Sequence, residues 1–234
     1  VRQLKIKIKD RLNNVINFLK QEELSMSDNQ LIGLAEDFFQ NSLDSSPTSA
    51  IMRGHKKYFD QIEELTEEQF QKEKETVDNF IQRLNAIDKD NLTSREKVTH
   101  GMLEFALSSN KDSLLDRSWE LAAGVSGFTG FLIDYNQQMF VPDSESADMM
   151  LKRLELYKRL YTQIAEVQKV GLNNNRVATE RNLLRTIDQL ENYLASSLDQ
   201  DPLLLVNFSP EISGSEISEW KDKAKNIIEA NIRP

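Results

Sequence analysis

The sequence predicts an all-α fold, a single domain of about six to eight packed helices with a long antiparallel helical hairpin over about 143–198. Three observations predict it. Gly and Pro number only eight and five among 234 residues, against usual shares of about 7% and 5%, so the turn residues of a many-stranded sheet are missing. Four Ser/Thr-x-x-Glu/Gln boxes stand at Ser27/Gln30, Thr66/Gln69, Thr93/Glu96 and Ser213/Glu216. In such a box two orphan amide donors at a helix start are satisfied reciprocally. Each box also precedes apolar residues at helical spacing, which a 3.6-residue period gathers onto one buried face.

Taken in chain order, the first element expected is an N-terminal basic helix from about Leu4 to Lys20. There Leu4, Ile6 and Ile8 alternate with lysines as a strand would, but Val15, Ile16 and Leu19 restore helical spacing. Residues 1–26 read as a basic extension and 27–234 as the helical domain. After Ser27 the stripe is Leu31, Leu34, Ala35, Phe38 and Phe39; after Thr66 it is Phe70, Val77, Ile81 and Leu84. After Thr93 it is Val98, Met102, Phe105 and Ala106. Asp143, behind Pro142, is the expected cap of a helix with Met150, Leu151, Leu154, Tyr157, Tyr161, Ile164 and Val167 on one face and a stop at Gly171. The next helix starts near Asn175, and its Leu183, Ile187, Leu190 and Leu194 suit packing back on the previous one across a Gly171–Asn175 turn. Ile217, Trp220, Ala224, Ile227 and Ile228 form the last stripe. Ala122–Pro142, with glycines at 124, 127 and 130 among Val125, Phe128, Phe131, Leu132 and Ile133, reads as a buried crossover between helices; a ligand loop is the sharper alternative. Leu203–Val206 reads as a short extended segment.

Composition narrows the chemistry. The chain has no cysteine, which removes disulfide frameworks, thiolate metal sites and cysteine nucleophiles together. With 29 Lys and Arg against 38 Asp and Glu the formal charge is −9, contrary to the clustered basic face that nucleic-acid phosphates require. No apolar run is long enough to span a bilayer. His55 is followed by Lys56 and His100 by Gly101, so neither opens the H-E-x-x-H pair of a zincin. Glu96 and His100 lie four apart, which gives a contact along one helix rather than a di-iron site, because no second such pair exists. His55, in Arg53–Lys57, reads as a loop residue. Gly124-Val-Ser126 begins like a nucleophile elbow, but Phe128 occupies the place of the second glycine. The Ser-x-x-Lys hits at Ser94, Ser108 and Ser218 are chance-level, and Asp88-Lys-Asp90 lacks the rest of a calcium loop. Glu63-Glu64, Glu67-Glu68, Glu73 and Glu75 read as a solvated face, and Trp119 and Trp220 as core. No catalytic, cofactor-binding or metal-ligating residue is therefore assigned.

Several segments in order carry a family resemblance: Leu34–Ala50, Leu84–Asp88 leading to Leu92–Glu96, Ala147–Leu154 with its Lys-Arg-Leu, Gly171–Leu190, and Ile227–Pro234. From about Leu31 the chain resembles the N-terminal part of the bacterial family called domain of unknown function 885. Around Arg53-Gly-His55 it departs from the family, whose members carry a more acidic run after the glycine. The family resembles zincin-type zinc metallopeptidases, mainly helical, with an H-E-x-x-P-G-H signature downstream of the counterpart of Pro234. The resemblance implies that residues 1–234 are the front half of a longer enzyme. They would form one wall of a substrate cleft, inactive alone, with no cofactor of their own and zinc in the C-terminal half. The partners implied are that catalytic half or a self-association partner, and peptide substrate. Localisation stays open between the bacterial cytoplasm and export after removal of an upstream signal. The rival from another class is a self-contained helical interaction module that docks through the acidic Thr66–Ile87 helix or the basic N-terminal one; a metal-bundle enzyme is the third.

Overall fold

The computed structural model describes residues 30–121 and 135–233. The expected N-terminal helix, the Ser27 cap and the glycines at 124, 127 and 130 lie outside them. The rest is all-α: α1 Gln30–Asp44, α2 Pro47–Met52, α3 Glu67–Asn85, α4 Ser94–Asp116, α5 Ser144–Glu155, α6 Tyr157–Asn173, α7 Glu180–Ala195 and α8 Gly214–Asn231. Two short strands, β1 Phe140–Val141 and β2 Asn207–Phe208, pair in parallel. The main chain of Asn207 donates to Met139 O at 3.1 Å and that of Ser209 to Val141 O at 2.9 Å.

The helix starts after Thr66, Thr93 and Ser213 fall where their boxes put them. At α8 the Ser213 side chain accepts from the Glu216 amide while the Glu216 carboxylate accepts from the Ser213 amide. Thr93 and Glu96 do the same for α4, at 3.3 and 2.8 Å. Thr66 makes the forward half for α3, accepting from the Gln69 amide at 3.2 Å. Asp143 caps α5 through the Ser146 amide.

Two compact units divide the chain, each built from two stretches. The first takes the described parts of Val1–Gln40 and Thr76–Asn110. It buries Leu31, Leu34, Val77, Phe80, Leu84, His100, Leu103 and Leu107, with the Phe38 and Phe80 rings edge to face at 5.8 Å. The stripe expected on α4 is corrected here. Val98, Met102 and Phe105 are exposed, and Leu103 and Leu107 are buried in their place. The helix is apolar on both faces, so spacing alone names two candidates for the inner one.

The second unit takes Asn41–Glu75 and the described parts of Lys111–Pro234. Its core joins Leu43, Ile51, Tyr58 and Phe59 to Met139 and Val141, to Met150, Leu154, Tyr157, Leu160 and Ile164, and to Leu203, Leu204, Trp220, Ala224 and Ile228. Burying each large side chain stabilises the fold by about 1.5–3 kcal/mol. The single helix expected after Asp143 is two. Leu156 separates α5 from α6, its amide turning back to Arg153 O at 3.0 Å, a tighter turn than the α-helix makes. The apolar stripe runs across the break intact.

Leu203–Val206 is not extended: Pro202–Leu204 is a 3₁₀ turn with Leu203 and Leu204 buried, and the extended pair lies just beyond, at Asn207–Phe208. The α6 stop and the packing of α7 also differ from expectation. Helix α6 runs on to Asn173, and the left-handed residue is Asn175 at φ 56°. The Asn175 amide donates to Leu172 O and the Arg176 amide to Gly171 O, the paired closure of a Schellman motif. Glycine at 171 serves another purpose. A Cβ there would stand 2.7 Å from Arg176 O and 3.0 Å from Glu120 O, because the Ser118–Leu121 turn lies directly against α6. Both obstacles are backbone. Gly171→Ala is therefore expected to lower stability by about 1–3 kcal/mol, read as a shift of the urea midpoint. The hairpin order α5–α6–turn–α7 is as expected, but its α7 stripe is not enclosed by it: Leu183, Ile187, Leu190 and Leu194 remain 37–57% exposed. A 4-3-4 spacing creates an apolar seam without dictating which surface closes it.

Candidate functional site

Three buried carboxylates organise the second unit, and each is closed by arginine. Glu63 precedes α3 and is 8% exposed, against the solvated face expected of it. Its Oε1 accepts from the Thr48 amide at 2.9 Å and its Oε2 from Thr48 Oγ1 at 2.7 Å. Arg153 of α5, fully buried, donates through Nη2 to Thr48 Oγ1 at 2.5 Å and through Nη1 to Gln61 O, with its guanidinium 4.0 Å from Glu63. Burial pushes the hydroxyl of neighbouring Tyr157 above its ordinary range against the opposing pull of Arg153.

Glu120 follows α4, and its side chain is inaccessible. Arg117 Nε stands 2.5 Å and Arg176 Nε 2.8 Å from it. Arg117 also grips Glu67 with both terminal nitrogens, at 2.8 and 2.7 Å, and lowers that carboxyl's proton affinity. Beside them the Phe70 and Trp119 rings stack at 4.1 Å. Asp201, also inaccessible, accepts from the Leu203 amide and the Tyr193 hydroxyl, both at 2.9 Å, and lies 2.9 Å from Arg233 Nε. Arg233 in turn donates to Tyr193 O at 2.6 Å and Ser196 O at 2.9 Å.

All three acids are thus spent on neutralising partners and on hydrogen bonds from the chain, an arrangement that fixes chain segments. Sequence reading missed them because each acid is paired with an arginine 32 to 90 positions away, as Glu63 is with Arg153, Glu120 with Arg176 and Asp201 with Arg233; only Arg117, three positions before Glu120, is local. No local signal marks the distant pairs.

The two histidines are far simpler. His55 immediately precedes the 3₁₀ turn Lys56–Tyr58, without a side-chain bond to it, and stands edge-on to Tyr58 at 6.4 Å. His100 is 2% exposed, and its Nδ1 lies 3.9 Å from Glu104. Glu96, one turn before His100, accepts from the Thr93 amide at 2.8 Å. Among the described residues no group of three or more His, Asp or Glu could hold a metal ion, and no helix is long and apolar enough to cross a membrane.

An open cleft of about 210 Å³ lies between α5 and α8, floored by Trp220 and Phe208 and edged by Asp148, Glu216, Glu219 and Lys223. Three of these four charges are engaged: Glu216 holds Ser144 and the Ser213 cap, and Lys223 pairs with Glu219 at 2.7 Å. Outside it, Asp143 pairs with Lys56 at 2.5 Å. The hydrogen bonds from Lys56 and Ser146 hold the Asp143 carboxyl down at about 2, below its ordinary 3.8. Stability from this lowered value is present above pH about 4 and fades as the pH falls toward 2. Asp143→Asn is expected to flatten that part of the acid limb of an unfolding-midpoint titration.

Compared with family models, residues 47–234 match the one described as "Bacterial protein of unknown function (DUF885)". The chain belongs to this family. No curated protein and no solved structure matches it. The DUF885 match begins at Pro47, the first residue of α2, and takes in all three arginine-closed carboxylates and both strands.

Proposed function

We propose that this DUF885 chain is the non-catalytic helical half of a zinc-dependent peptidase and forms one wall of its substrate cleft. The observation that carries the reading is the closure of Glu63, Glu120 and Asp201 by Arg153, Arg117, Arg176 and Arg233. A zincin needs an imidazole pair on one metal and a carboxylate free to activate water. This fold spends its buried acids on holding segments together, as a scaffold does. The metal and the general base then come from a second half bearing the H-E-x-x-P-G-H signature that the family resemblance implies.

Residues 1–234 and a protein joining them to such a half supply the test, by metal analysis and by cleavage of a mixed peptide library. The expected result is neither zinc nor cleavage for residues 1–234, and about one zinc per chain with cleavage for the joined protein. Cleavage or stoichiometric zinc in residues 1–234 alone would overturn the reading, as would a joined protein that binds no zinc.

A further inference from the structure

We draw no further inference here: the strongest candidate, the open cleft between α5 and α8 floored by Trp220 and Phe208, has three of its four rim charges engaged within the chain, and nothing in the structure shows what would occupy it.

Discussion

Arg153→Met is expected to destabilise the protein by about 3–5 kcal/mol, the cost of leaving a buried charge without its partner. Methionine replaces much of the volume, so the loss measures polar chemistry rather than an empty space. The substitution strands the Gln61 carbonyl and removes the donor to Thr48 Oγ1, which itself holds Glu63. Glu63 then stays buried with no cation within reach. Urea unfolding reads the effect, and Arg153→Met combined with Glu63→Gln should recover part of it, because the orphaned charge is then gone. Equal losses in the single and double variants would show that the cluster's electrostatics are not what matters at this site.

Trp220→Ala is expected to cost about 3–5 kcal/mol through the space it empties between α5 and α8. Trp220 is 3% exposed, its indole N–H donates to Ala147 O at 2.8 Å, and Phe208 meets it edge-on at 5.1 Å. Trp220→Phe keeps most of the apolar body and loses the hydrogen bond, so it should lose only about 1–2 kcal/mol. Tryptophan emission followed through urea unfolding separates the two, since Trp119 remains as the probe. A Phe variant as damaged as the Ala one would assign the stability to the N–H instead of the ring.

These two sites differ in how far the sequence announces them. Trp220 sits in a stripe behind a Ser213/Glu216 box, and everything needed to place it lies within fifteen residues of chain. Arg153 carries no such mark. Its Glu63 belongs to a run of acids that, by pattern, faces water, and only the tertiary fold brings Thr48 and Gln61 to it. The same division holds elsewhere. Helix starts at Thr93 and Ser213 were legible because a capping box is a local bond. The inner face of α4 was not, because Leu103 and Leu107 compete with Val98, Met102 and Phe105 on an equally apolar opposite side. The expected stop at Gly171 differs from the observed one for a related reason: that glycine answers to the Glu120 backbone, 51 positions earlier, and the turn itself falls to Asn175.

The pairing of β1 with β2 has a kinetic side. Its two ladder bonds, from the Asn207 and Ser209 amides, unite strands whose connecting loop contains all of α5, α6 and α7. Closing so long a loop is entropically unfavourable until the enclosed helices have shortened it. These amides should therefore acquire protection late in refolding, which makes them natural reporters, in a pulse-labelling experiment, of the moment at which the second unit is complete.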